Sequence, residues 1–124
     1  MAGATWGLEN ELMDQVLHEL RRTAMLPHGA GASDGHLLER FIVQNDEMAF
    51  EALVRRHGAM VLGVCRRVTG HSHDAEDAFQ AAFLVLARKA NAVMPRELLA
   101  NWLYGVAWRS ALEARTKAAR RRRA

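Results

Sequence analysis

Two clusters of side chains in this sequence have the types and spacing to do chemistry, and the chemistry of both is recognition. The first is the acidic turn Asp74-Ala75-Glu76-Asp77, followed by Gln80, Phe83 and Leu84. On a helix, residues 73, 77, 80 and 84 share one face, and 76, 79, 80 and 83 share the neighbouring one. Asp77, Gln80 and Leu84 then make a stripe that runs from polar to apolar, suited to docking on a basic helix or coiled coil of a partner. Dipole complementation and solubility account for the acids but not for their arrangement with glutamine and phenylalanine. The second cluster interleaves Asn101, Trp102, Tyr104 and Trp108 with Arg109, Arg115 and Lys117. Aromatic rings stack on unpaired bases while cations follow phosphates, so this mixture suits single-stranded or melting nucleic acid. Core packing competes for Trp102, which is in register with Leu99, Leu103 and Val106. Tyr104 and Trp108 are four apart and off that stripe, which favours exposed contact.

Other reactive residue types lack a setting. His71 and His73, two apart on a turn, do not converge easily with the helical Cys65, and no second ligand pair has metal-site spacing. His57 before Gly58 reads as a cation at a helix end. Cys65 falls on an apolar helix face, where a thiol is structural. Ser33, Ser72 and Ser110 have no nucleophile context. The carboxylates cluster on an exposed helix start, a poor setting for a general acid or base. No metal site, cofactor or enzyme activity is expected.

Hydrophobic periodicity supplies the elements that must position both clusters, and it is helical almost throughout. Leu8, Leu12, Val16 and Leu20, widened by Met13 and Leu17, predict a first helix; Pro27 and the run His28-Gly29-Ala30-Gly31-Ala32 then read as a linker. Ser33 or Asp34 caps a second helix bearing Leu37, Leu38, Phe41 and Ile42. Asn45 and Asp46 break and restart the chain. A third helix carries Phe50, Leu53 and Val54 and ends near Gly58. A fourth carries Val61, Val64, Cys65 and Val68 and stops at Gly70. Ser72 or Asp74 opens the fifth, with Asp74, Glu76 and Asp77 in its first turn and Phe79, Ala82, Phe83 and Leu86 on its apolar face. Asn91 ends it, and Ala92-Val93-Met94-Pro95 is a short loop. The last helix begins just after Pro95 and runs into the arginines. No strand-like alternation, internal repeat or glycine-rich phosphate loop occurs. Short connections between these helices predict an all-α fold, an antiparallel helical bundle of about five helices with an N-terminal helical extension.

The whole chain has 124 residues, 50% hydrophobic and 25% charged, a size for one domain. One cysteine excludes an internal disulfide framework and a Cys-only zinc site. No apolar run approaches the ~20 residues that span a bilayer. Glu9, Glu11 and Asp14 interrupt any signal-peptide-like stretch, so a cytoplasmic protein without a membrane partner is expected. The net charge of +3 is uneven: residues 1–94 hold nine basic and twelve acidic side chains, and residues 95–124 hold eight basic and two acidic. The basic end suits a polyanion, most economically nucleic acid, or is a solvated, frayed tail.

Asp74-Ala75-Glu76-Asp77-Ala78-Phe79-Gln80-Ala81-Ala82-Phe83 resembles the polymerase-gripping helix in the second conserved region of bacterial sigma-70-like sigma factors of the extracytoplasmic-function type. Ala49-Phe50-Glu51-Ala52-Leu53-Val54-Arg55-Arg56-His57 is similar to that region's opening helices. Asn101-Trp102-Leu103-Tyr104-Gly105-Val106-Ala107 resembles the start of its promoter-melting helix. The likeness covers about residues 33–123, with three motifs in order. It implies a helical, non-enzymatic domain. The acidic helix would dock on the clamp coiled coil of the largest subunit of core RNA polymerase through Asp74, Glu76, Asp77, Gln80, Phe83 and Leu84. The last helix would meet the non-template strand of the promoter −10 element through Asn101, Trp102, Tyr104, Trp108, Arg109, Arg115 and Lys117. Residues 91–96, with Asn91 and Arg96, would form the loop that holds a flipped base, since unstacking costs only a few kcal/mol that pocket contacts can offset.

The sequence departs from the family in three places. Ala81 stands where an acid usually follows the glutamine, so one polymerase contact lacks its residue. Trp108-Arg109 replaces the Arg-Asn of many members. A second domain that reads the −35 element normally follows, so the expected division is an extension and linker over 1–32, a region-2-like domain over 33–119, and a basic tail or linker start over 120–124. The leading expectation is a sigma-factor domain in transcription initiation. The runner-up is an interaction module of the same fold that binds polymerase or an anti-sigma factor without initiating. A nucleic-acid-binding bundle unrelated to transcription is third.

Overall fold

The computed structural model describes residue 11, residues 14–18 and residues 31–123. Every regular element within them is helical: α1 (Asp34–Gln44), α2 (Glu47–Thr69), α3 (Ser72–Lys89), single 3-10 turns at Ala90–Ala92 and Arg96–Leu98, and α4 (Leu99–Arg123). Residues 14–18 form a further helical stretch. The all-α bundle is as expected. α2, α3 and α4 pack on one another, α1 lies against α2, and α1 also meets the 3-10 turn that precedes α4. The core centres on Phe50, Leu53, Phe79, Phe83, Leu86, Leu99 and Leu103, all fully buried. Val16 and Leu17 join it. Leu8, Leu12, Met13 and Leu20 of the first expected helix, and the linker up to Ala30, lie outside the described residues. Among the described residues no helix is long and apolar enough to cross a membrane.

Local chemistry sets most helix ends. Ser33 caps α1, its hydroxyl accepting from the amide of His36 at 3.1 Å. Asn45, at φ 53°, takes the left-handed turn that ends α1, and Asp46 starts α2 by accepting from the amides of Met48 and Ala49. Gly70, at φ 74°, stops α2 as expected.

Three boundaries differ from expectation. The expected third and fourth helices are one continuous α2, which passes through Gly58. Phe50, Val54, Gly58, Val61, Cys65 and Val68 are all buried on one stripe, so Gly58 belongs to the packed face. Packing along 23 residues outweighs the ~1 kcal/mol that an interior glycine costs a helix. Neither Ser72 nor Asp74 caps α3: His71 holds that position without a side-chain bond. Thr69 organises the turn instead, its hydroxyl donating to the carbonyl of Cys65 at 2.8 Å. Asp74 is the acid in the first turn, with Glu76 and Asp77 further along. Finally, α4 runs through the arginines to Arg123, so they form a helical basic end and not a frayed tail.

The joint between α1 and α2 carries a pH dependence. Arg40 donates to Asp46 through Nε at 3.1 Å and Nη2 at 2.6 Å. That guanidinium first, and the amide of Ala49 next, hold the Asp46 carboxyl below the usual carboxylate range. The stability linked to a lowered native pKa is present in full above about pH 4 and is lost as acid carries the pH down through the native value. Asp46→Asn keeps a capping oxygen but not the charge. We expect its urea midpoint to lie below that of the unaltered protein at pH 7, and the two to converge as acid takes the pH below the lowered native value.

Candidate functional site

The acidic cluster stands on α3 because one face of that helix is committed to the core. Ala75, Ala78, Phe79, Ala82, Phe83 and Leu86 are buried. The rings of Phe79 and Phe83 sit 5.0 Å apart at 57°, which fixes the rotation of the helix. Phe83 is therefore corrected from a contact residue to a core residue, with no surface left to meet a partner. Leu84 is half-buried against the same core. Asp77 is exposed, while Glu76 and Gln80 are half-buried.

Gln80 and Asp74 show what such groups meet within the chain. Gln80 Nε2 donates to Asp14 Oδ1 at 3.1 Å. Asp74, whose side chain is only 13% exposed, lies 3.6 Å from Arg121 of α4. Asp74 and Asp77 line a cleft of about 270 Å³ with Ser110, Glu113, Lys117 and Arg121. Lys117 thus stands beside the acids of α3, away from the exposed aromatic face of α4. The acidic and basic surfaces inferred from the charge asymmetry meet along this cleft.

α4 divides the second cluster between two faces. Asn101, Tyr104, Trp108 and Arg115 follow helical spacing and are exposed, Tyr104 by 46% and Trp108 by 44%. Arg115 also reaches back to the carbonyl of Val68 at 3.5 Å. Trp102, Val106, Arg109 and Glu113 follow the other spacing. They line a groove of about 490 Å³ against Val85, Lys89 and Ala92 of the preceding helix and turn. Trp102 packs partly on the core, as its register predicted. The groove holds an aromatic face and two cations, Lys89 and Arg109, the combination that takes a base or sugar with its phosphate.

The loop between α3 and α4 places Asn91 in solvent and Val93 inside. Arg96 is not a free cation. Its guanidinium donates to Glu39 and to the carbonyl of Val93, both at 2.9 Å. Within the chain it shapes the loop.

Three features escaped the sequence reading. His57 is not at a helix end: inside α2, its Nε2 lies 2.9 Å from each carboxylate oxygen of Asp34, which also accepts from Arg56. Only the i to i+4 spacing of His57 with the buried stripe hinted at a mid-helix position. Nothing in the sequence marked Asp14 as a partner of Gln80, or Glu39 as a partner of Arg96. Cys65 is buried, and burial pushes its thiol up to about 11, which leaves it protonated and unreactive at neutral pH. Among the described residues no three His, Cys, Asp or Glu side chains gather where they could hold a metal ion.

A family model described as sigma-70 region 2 matches residues 53–121. The match takes in most of α2, all of α3 and α4 as far as Arg121, and so both clusters; α1 lies outside it. No curated protein and no solved structure matched the chain.

The split between core and surface aromatics is measurable. Phe83→Ala should cost about 3–5 kcal/mol of stability, the range for a fully buried aromatic. Trp108→Ala should cost under about 1 kcal/mol, as expected for a surface position. Urea unfolding followed by helical circular dichroism checks both, and equal costs would place Trp108 in the core.

Proposed function

This chain belongs to the sigma-70 region 2 family, whose domain takes part in polymerase binding and promoter melting, and from that membership we propose that it is a region-2 domain of the extracytoplasmic-function type. In this reading it acts in the cytoplasm, as a non-enzymatic domain spanning residues 33–119. It docks α3 on the clamp coiled coil of core RNA polymerase and opens the promoter −10 element with α4. Asp77 lies at the centre of the docking stripe, flanked by Asp74, Glu76, Gln80 and Leu84. Asn101, Tyr104, Trp108 and Arg115 meet the non-template strand on one side of α4, and Trp102 and Arg109 on the other. Loop residues 91–96 receive an unstacked base. Residues 1–32 are an extension, and 120–124 a basic tail or the start of a linker.

One observation carries this reading: Tyr104 and Trp108 stay in solvent on one helix face, in register with Arg115. Every other aromatic among the described residues is buried or half-buried. Leaving two large rings in water forgoes burial that a chain of this size needs, and stacking on bases recovers it. Residues of one family domain then supply both a protein-facing acidic helix and a strand-facing aromatic helix.

A second reading has its own support. Gln80 and Asp74 are already engaged by Asp14 and Arg121. This is a module of the same fold that binds polymerase or an anti-sigma factor without initiating, and in the anti-sigma case it has less need to free them.

Binding measurements separate the two. The full chain should retain core polymerase, and Asp77→Ala or Gln80→Ala should each weaken that by about tenfold, the equivalent of one contact near 1.4 kcal/mol. With polymerase present, affinity for single-stranded promoter DNA should fall steeply with salt. Trp108→Ala should weaken it by roughly 5- to 100-fold, the scale of one lost stacking contact. No polymerase binding sinks the leading reading. Polymerase binding without strand capture favours the second.

A further inference from the structure

The loop that joins α3 to α4 is tied to α1, a helix that lies outside the family match. The ties are made by two consecutive residues. Arg96 extends Nε to Glu39 Oε1 at 2.9 Å, while its Nη1 donates to the carbonyl of Val93 at 2.9 Å and, more loosely, to that of Asn91 at 3.4 Å. One guanidinium thus gathers two loop carbonyls and anchors them to the middle of α1. The neighbouring Glu97 accepts a 2.6 Å hydrogen bond from the hydroxyl of Ser33, the cap of α1. Glu97 reaches that hydroxyl over Gly35, where a Cβ would overlap its carboxylate. Gly35 is buried and sits inside a helix, where glycine is otherwise unfavourable. Without a Cβ there, the flexible end of Glu97 passes close to the backbone of α1.

The consequence falls on the loop. Val93 is pulled into the core, and its amide donates to the carbonyl of Ala90 at 3.2 Å. Asn91 and Met94 are left in solvent, Met94 by 72%. The backbone is therefore ordered before any ligand arrives, with the exposed side chains on its outer surface. Order made in advance lowers the cost of binding and sharpens discrimination between ligands, because the loop cannot reshape itself around each one.

We propose that α1 positions the base-receiving loop through Glu39 with Arg96 and Ser33 with Glu97, so that base selectivity in the −10 strand depends on a helix that need not touch DNA. This rests on the reading above that residues 91–96 receive a base. Glu39 and Ser33 are positioning residues, acting through Arg96 and Glu97.

The test uses the full chain bound to core polymerase and a randomised single-stranded DNA library. The readout is the ratio of affinities for the strand the unaltered chain enriches most and for the unselected library. Glu39→Gln and Ser33→Ala should each lower that ratio by about two- to fivefold, the scale of an exposed charged tie, and Glu39→Asp should recover part of it. Polymerase retention should stay unchanged in both, and so should the urea midpoint of Glu39→Gln; Ser33→Ala also removes the cap of α1 and should lower its own midpoint by the usual cost of a lost cap. Removing the negative charge of Glu39 strengthens binding to every strand alike, so a purely electrostatic effect leaves the ratio where it was. An unchanged ratio in both variants overturns the proposal and leaves the reading of the loop intact. A fall in ratio matched by a fall in urea midpoint in Glu39→Gln, which touches no helix cap, also overturns it, because the ties are then merely structural. No enrichment by the unaltered chain overturns both.

Discussion

Burial of one face of α3 is the constraint on which the rest of the domain depends. Phe79 and Phe83 insert between α2 and α4, and their rings contact each other. A helix pinned by two aromatics one turn apart cannot rotate without opening a cavity, and cavities in a close-packed interior are costly. The acids of α3 are then forced to its outer side. The same core residues seat α4, whose own buried line of Leu99, Leu103, Val106, Ala107 and Ala111 leaves its aromatics on the flanks. The acidic flank of α3 and the exposed aromatics of α4 are held in a fixed relation because one core supports both.

Electrostatics is arranged around this core more closely than a separation into an acidic and a basic surface would have it. Lys117 and Arg121 face Asp74 and Asp77 across a shared cleft. Such exposed pairs contribute little stability. Their effect is on recognition: a partner that needs these acids competes with the chain's own cations, and with Asp14 at Gln80. The charge available to a partner is therefore smaller than a count of residues implies. Exposed arginines at 120, 122 and 123 extend the positive field beyond the cleft.

The elements were legible where a physical rule acts over a few residues. Ser33, Asp46 and Gly70 announced helix ends because caps and left-handed glycines work locally. The apolar stripes of α3 and α4 were legible because burial imposes a 3.6-residue period, and that period also separated Trp102 from Tyr104 and Trp108. The reading failed at Gly58. A glycine mid-helix and a glycine at a helix end look alike in sequence, and what distinguishes them is the neighbour packed against the backbone. Phe83 shows the difference between two kinds of signal: its periodicity put it on the apolar face, where it is buried, while a motif shared with a family shows that a residue matters and not whether it faces a partner or the core.

By itself the sequence determined the helical class, most helix boundaries and the apolar faces, since each follows from residue type and short-range spacing. The tertiary structure alone decided what those residues touch. Gln80 with Asp14, Asp34 with His57, and Arg96 with Glu39 join positions 66, 23 and 57 residues apart. Pairings at that distance leave no periodic trace, because they exist only once a shared core has brought separate helices into contact.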